Sequence, residues 1–243
     1  MTILRPAGFN TPEILTALST RAGGPAASPF GMNLSFNVGD DPANVRANRA
    51  LFFGKLGITE AQCAIPRQIH SSTVTRADHS GAYPDCDGLI TDNVGLFLSV
   101  STADCIPLFI YEKKRKVVAA IHSGWRGTVA AIAAEGVRKM VEEYDAAPGS
   151  MSAYIGPAAS VCCYAVSQDV AGQFAPRFVR DVGGNLHVDL KGAVMDQLLN
   201  AGLPPSAIEV SPSCTISEPS LFHSYRRDGV RSGRMLGVIG LIR

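Results

Sequence analysis

The apolar positions of this chain gather into short, β-rich runs, and two of them end abruptly in reactive residues. Residues 96–100 lead to Asp104-Cys105, and residues 117–121 lead to His122-Ser123-Gly124-Trp125-Arg126-Gly127. Branched apolar runs bounded by small and polar residues are the pattern of buried strands. Strand ends are where a rigid sheet hands side chains to a cleft, so the stretch 99–127 is read as the centre of the molecule.

The other elements follow from local signals. Residues 14–19 form a short apolar run. Beyond them, Thr20-Arg21-Ala22-Gly23-Gly24-Pro25 and Gly31-Met32-Asn33 read as a long loop holding Arg21 and Asn37. Asp40-Asp41-Pro42 predicts a helix start, with Val45, Asn48, Phe52 and Leu56 along it and Gly57 as its stop. Residues 63–69 predict a short strand delivering His70, and residues 89–91 a second brief strand. Val129, Ile132, Ala133, Val137, Met140, Val141 and Tyr144 recur at helical spacing and predict one helix ending before Pro148-Gly149. Strands are predicted at 151–155, 208–210 and 234–242, and helices at 166–174 and from 188 to about 200. No linker, repeat or low-complexity segment interrupts the chain. It is read as one catalytic domain, residues 1–243, in the α+β class.

Composition narrows the function classes. The chain has 243 residues, 46% of them hydrophobic, and a net charge of +1. That balance gives no ground for nucleic acid as a partner. No apolar run reaches the ~18 residues of a membrane span. The N-terminus shows no basic segment followed by an apolar one, so the expectation is a cytoplasmic protein with no membrane partner. Six scattered cysteines, two of them adjacent at Cys162-Cys163, fit reduced thiols better than a disulfide framework.

Three residues at predicted strand ends carry metal-type chemistry: His70, Cys105 and His122. A His/Cys/His set with a fourth position open is what a catalytic zinc site uses. Bound zinc lowers the pKa of its water to about 7 and polarises a substrate atom. The gaps of 35 and 17 residues match no compact zinc signature, so spacing alone leaves a rival open. In that rival, Cys105 is a nucleophile, His122 its base and Asp104 the group that orients the His or works as acid/base. Cys105 as an inert buried thiol is the structural alternative. Arg126 is a candidate anion binder, Trp125 is read as core, and His79 and His187 are read as solvent-facing.

Taken together, Gln68-Ile69-His70, Asp87-Gly88-Leu89-Ile90-Thr91, Thr102-Ala103-Asp104-Cys105-Ile106-Pro107 and Ala120-Ile121-His122-Ser123-Gly124-Trp125-Arg126-Gly127 closely resemble the YfiH laccase-domain family. Its members are described as purine nucleoside phosphorylases and historically as polyphenol oxidases. The likeness extends to Thr20-Arg21-Ala22-Gly23-Gly24, Asn37, Asp40-Asp41-Pro42 with Asn48-Arg49, Gly156-Pro157 with Cys163-Tyr164, Cys214-Thr215, and Phe222-His223-Ser224-Tyr225-Arg226-Arg227 with Gly233-Arg234. Ala26 departs from the family's usual Ser, and Ser167 stands where Gly is common.

The resemblance implies mixed sheets flanked by helices, a fold shared with cysteine-hydrolase-like toxins. It implies a metal on His70, Cys105 and His122, with zinc favoured over copper. It also implies phosphorolysis of adenosine, inosine, guanosine and methylthioadenosine, with adenosine deamination beside it. Purine nucleosides and phosphate are then the partners, and no oligomeric state follows. Cys105, Asp104 and His122 are the candidate catalytic residues. Arg21, Asn37, Arg67, Gln68, Arg126 and Arg226 are the candidates for substrate and phosphate. A multi-copper oxidase draws on many more histidines, commonly as His-x-His pairs, than the five here. A single copper on His₂Cys is compatible with the ligand types. The remaining alternatives are a metal-free Cys–His amide hydrolase and a non-catalytic nucleoside- or metal-binding protein.

Overall fold

The computed structural model describes residues 2–9, 11–24 and 30–242; Pro25 and Ala26 of the Gly-rich loop lie outside them. β1 (Ile3–Leu4) and β2 (Ile14–Ser19) precede helix α1 (Pro42–Leu56). Then come β3 (Cys63–Pro66), β4 (Val74–Arg76), β5 (Gly81–Tyr83), β6 (Gly88–Thr91) and β7 (Phe97–Thr102). β8 (Ile106–Glu112) and β9 (Val117–Ser123) lead into α2 (Trp125–Val129) and α3 (Ile132–Tyr144). After β10 (Met151–Ile155) come α4 (Gln168–Ala171), β11 (Val179–Val182), β12 (Asn185–Val188) and α5 (Leu190–Asn200). β13 (Ile208–Val210), α6 (Tyr225–Asp228) and β14 (Met235–Leu241) follow.

The strands build two six-stranded mixed sheets, ordered β1-β2-β14-β7-β3-β5 and β13-β10-β8-β9-β6-β4, with β11-β12 as a separate hairpin. Every residue of β8 and β9 is buried, because their sheet is covered on both faces. The two-residue period sorts them. Ile106, Leu108, Ile110, Val117, Ala119 and Ile121 join a core with α3 and α5. Phe109, Tyr111, Val118 and Ala120 join a core between the sheets, with Leu98, Val100 and Ile239. On the far side of the first sheet, Phe52 and Phe53 of α1 pack on Ala17, Phe97 and Val238. The layering is therefore helix, sheet, sheet, helices, an expected solution for sheets that must bury both faces. Each fully buried Leu, Ile or Phe contributes roughly 1.5–3 kcal/mol. The α3–β9 contact is close: a Cβ on Gly136 would lie 2.2 Å from Ile121 Cδ1.

Helix α1 has the predicted ends. The Asp41 side chain accepts from Ala43 N–H, Pro42 occupies the first turn, and Gly57 closes the helix at φ 71°. Other segments differ from expectation. The single helix predicted from Val129 is broken between α2 and α3, where Ala131 turns left-handed at φ 58°. The Thr128 carbonyl accepts from Ala131 N and from Gln197 Nε2 on α5, so tertiary bonding overrides the helical pattern. The helix predicted at 166–174 shrinks to α4. The strand predicted through residue 69 stops at Pro66, leaving Ile69 exposed. His187 is not solvent-facing: it is buried on β12 with Nδ1 2.7 Å from the Val161 carbonyl oxygen. His79 is exposed, as expected.

Candidate active site

Three strand ends converge. The chain leaving β3 runs through Arg67 and Gln68 to His70. The turn between β7 and β8 holds Asp104 and Cys105, and the last turn of β9 holds His122. β8 and β9 pair so that Pro107 faces His122, which sets Cys105 beside the imidazole. One ligand atom from each of His70, Cys105 and His122 lies within 4.8 Å of the others. The two imidazoles meet edge to face at 4.9 Å. This donor set, two imidazoles and a thiol, fits a metal ion with a position left for substrate or water.

The backbone is shaped for this meeting. Gly124 follows β9 directly, and a Cβ there would lie 3.0 Å from both Cys105 Sγ and His70 Cδ2. His70 sits at φ 62°, a left-handed conformation held by Asp87 and Gln68. The Gln68 amide donates to the Ser101 carbonyl and accepts from Ser101 N–H, both at 2.8 Å. It thereby extends the β7 edge with a side chain and pins the loop before His70.

Asp87 is the hub beneath the site. Fully buried, it accepts from His122 Nδ1 at 2.8 Å and from His70 N–H at 3.0 Å on Oδ1. Its Oδ2 accepts from Ile69 N–H, Ser71 N–H and the Ser71 hydroxyl. Burial alone would raise this carboxyl, but the bonds from His122 and Ser71 outweigh it and hold it at about 2. Burial opposes ionisation of Cys105 as well, and the adjacent His122 and His70 overcome it, so the thiol is pulled below its ordinary value. His122 moves the other way: burial pushes it down, and Cys105 and Asp87 more than reverse that. The site thus favours a thiolate paired with a protonated His122, as an activated nucleophile has; a metal ion binding here would take the place of the His122 proton and keep the thiolate.

Asp104 is buried with φ 91°. Its Oδ1 accepts from the Thr215 hydroxyl at 2.7 Å and its Oδ2 from Arg226 N–H at 2.6 Å. Its carbonyl oxygen accepts from Ala159 N–H. Asp104 therefore ties the Cys105 turn to three distant segments.

A cavity of about 1010 Å³ opens over these residues. His70, Asp104, Cys105 and His122 lie on its wall with Asn37, Arg67, Gln68 and Arg226. Arg21 and Arg126 are not brought to it. Arg21 pairs with Asp228 at 3.2 Å, and exposed Arg126 stacks over Trp125 at 4.4 Å. Trp125 is half-buried against the core of α3 and α5. The cavity also recruits Phe36, which nothing in the chain singled out, and Arg49, Arg234 and Tyr225, which the family likeness included without giving them a role at a site. The guanidinium of Arg49 lies 5.4 Å over the Phe36 ring, and that of Arg234 5.4 Å over Tyr225. Both aromatic rings are about half exposed, at 46% and 52%. An exposed aromatic beside an arginine was the available signal for Tyr225; Phe36 had none.

The chain resembles known proteins over nearly its whole length. A family model described as multi-copper polyphenol oxidoreductase laccase matches residues 15–242. The purine nucleoside phosphorylase YlmD of Geobacillus stearothermophilus is 34% identical, over 93% of this chain and 89% of its own. A purine nucleoside phosphorylase of Deinococcus radiodurans is 38% identical over the same shares. The crystal structure of the Geobacillus YlmD superposes with a TM-score of 0.91 at 33% identity, covering 98% of this chain and 94% of that one. That of a Bacillus licheniformis hypothetical protein YfiH gives 0.89 at 31% identity, over 96% and 97%. Sequence and fold agree along the full match, and the chain belongs to the YfiH laccase-domain family.

Proposed function

We propose that this protein is a purine nucleoside phosphorylase with zinc held by His70, Cys105 and His122. The observation that carries the reading is one cavity with a His/Cys/His donor set on its wall beside arginines and exposed aromatic rings. The relatives' names as purine nucleoside phosphorylases support it. Zinc, when bound, supplies a Lewis acid that polarises a substrate atom; its three-ligand preference with an open position suits this set better than copper.

The remaining work falls to the protein's own groups. In phosphorolysis a phosphate oxygen forms a bond to the ribose C1′ as the C1′–N9 bond breaks. The electron pair leaves with the purine, which takes up a proton. Positive charge grows on the ribose and negative charge on the base, so fixed charges on both sides lower the barrier. Arg67, Arg226 and Arg234 on the cavity wall would hold the phosphate, and Phe36 or Tyr225 would stack on the purine. Asn37 offers an amide to the nucleoside. Asp104 acts as a positioning residue, since each carboxylate oxygen already accepts a bond from Thr215 or Arg226. Adenosine, inosine, guanosine and methylthioadenosine are the proposed substrates. Adenosine deamination would be a separate outcome at the same centre.

A second reading has its own observation. Cys105, His122 and Asp87 form a nucleophile, base and orienter in sequence, with Asp87 in the place the chain pattern assigned to Asp104. That arrangement suits a metal-free hydrolase. Product analysis with adenosine, with and without phosphate, separates the readings. Adenine and ribose 1-phosphate formed only with phosphate, and lost in Cys105→Ala and His122→Ala, are the expected result. Inosine formed regardless of phosphate would indicate deamination. No turnover in zinc-loaded protein would remove adenosine as a substrate, and full activity in metal-stripped protein would favour the free thiolate.

A further inference from the structure

Outside the cavity, a second group of thiols converges. Cys162, Cys163 and Cys214 bring their sulfurs within 4.8 Å of one another, with Cys162 and Cys163 Sγ only 3.3 Å apart. All are free thiols, graded in access from exposed Cys162 through half-buried Cys163 to buried Cys214. They come from two loops zipped side by side: Ala158 bridges to Cys214, and Thr215 N–H donates to the Ala158 carbonyl.

We propose that Cys162, Cys163 and Cys214 form a second metal site, distinct from the His70–Cys105–His122 centre, that takes a soft divalent cation such as zinc or cadmium. Three sulfur donors select soft cations over magnesium or calcium. Two features of the surroundings bear on the cluster. Backbone N–H groups of Ser160, Ile216 and Ser217 face Cys214 Sγ, the arrangement that stabilises a thiolate. Lys191 on α5 is buried beside the cluster, its ammonium donating to the Ser211 and Ser213 carbonyls at 2.8 and 2.6 Å. Burial pushes its ammonium down, and the neighbouring Cys214, Asp189 and Glu218 only partly offset that. Glu218 is itself engaged by Cys214 N–H and the Ser213 hydroxyl.

Binding would release the thiol protons to water and staple the two loops. Both loops reach the large cavity: Tyr164 follows Cys163 and lies on its wall, and Thr215 follows Cys214 and bonds Asp104. The second site is thus a brace behind the first.

The test uses the full chain carrying Cys105→Ala, which removes the only thiol of the first centre, kept reduced with a phosphine. Cadmium is titrated while the ultraviolet thiolate-to-metal charge-transfer band is read. One cadmium per chain, displaced by zinc, is expected. Adding Cys162→Ser, an exposed position that spares the fold, should weaken binding about tenfold or more and diminish the band. No band with Cys105→Ala alone, or a band unchanged by Cys162→Ser, would overturn the site. Intact mass after thiol alkylation gives the other check: a disulfide in place of the three thiols would also overturn it.

Discussion

The Asp87 carboxylate lies 2.8 Å from His122 Nδ1, and this bond decides which nitrogen of the buried ring faces Cys105. With Nδ1 committed to Asp87, Nε2 is left for the site. The same oxygen accepts from His70 N–H, so one carboxylate orients two of the three candidate ligands. Outer partners of this kind typically govern 10–100-fold in metal affinity. Asp87→Asn keeps the size of the side chain but replaces one acceptor with a donor. Zinc affinity, measured by chelator competition, should fall by about that range, with kcat falling alongside it. Unchanged affinity would show that Asp87 matters only to the fold.

Gly124→Ala should injure the site more than the fold. Its added methyl would press on Cys105 Sγ and His70 Cδ2 at 3.0 Å, and its φ of −81° imposes no backbone penalty. We expect turnover to drop at least tenfold and stability to fall by about 1–3 kcal/mol, the usual range for overpacking. Thermal melting and metal content measured on the same preparation separate the two effects.

Arg67 and Arg49 share the cavity wall but differ in what they hold. Arg49 is buried, pairs with Glu60 at 2.8 Å and donates to the Leu34 carbonyl at 2.7 Å. Arg67 is exposed and makes no ion pair among the described residues. Arg67→Ala should therefore raise the KM for phosphate several-fold with no change in melting temperature. Arg49→Ala should lower the melting temperature, because a buried carbonyl loses its donor at about 1–3 kcal/mol. Equal effects of both on melting would contradict this division.

A pH dependence of stability follows from His223. It is 1% exposed, and its Nε2 has no partner among the described residues. Burial, reinforced by the nearby Arg21, pushes it down to about 4. Its ordinary value is about 6.5, so between these two values the unfolded chain binds the proton and the folded one does not. Stability is thus full above about pH 6.5 and declines as pH falls toward 4, by at most ~3 kcal/mol from this group. Urea denaturation across that window should show the slope, and His223→Gln should flatten it. Asp87 acts lower, its stabilisation being lost only as the pH falls toward 2.

Local signals carried much of the fold. The ends of α1 are written in Asp41, Pro42 and Gly57, and the strands bearing Cys105 and His122 announce themselves by apolar runs that stop at polar residues. What escaped depended on partners far away in the chain. The break at Ala131 needs Gln197 to claim the Thr128 carbonyl, and the burial of His187 needs Val161 on a neighbouring loop. β8 went unread because Pro107 interrupts its apolar run near the start. Asp87 stood in the sequence only as the first residue of the Asp87–Thr91 run, since its role exists only once residues 69–71 and His122 surround it. The cavity wall shows the same limit: Gln68 and Arg226 come from recognisable motifs, whereas Phe36 reaches it through the path of the first loop, which Arg49 of α1 holds by bonding the Leu34 carbonyl.

β8 and β9 form the partition between the two largest cores, with one set of side chains in each. Cys105 and His122 hang from that partition, whereas His70 hangs from an exposed loop secured by Gln68 and Asp87. The two anchorages differ in how they yield. Freeing the backbone at His122 requires dismantling both cores, so its amide exchanges with solvent only when the whole molecule opens. Freeing His70 requires breaking a handful of hydrogen bonds. The centre thus joins two ligands on a deeply set strand pair to a third on a hydrogen-bonded loop, so the His70 amide should exchange with solvent before that of His122.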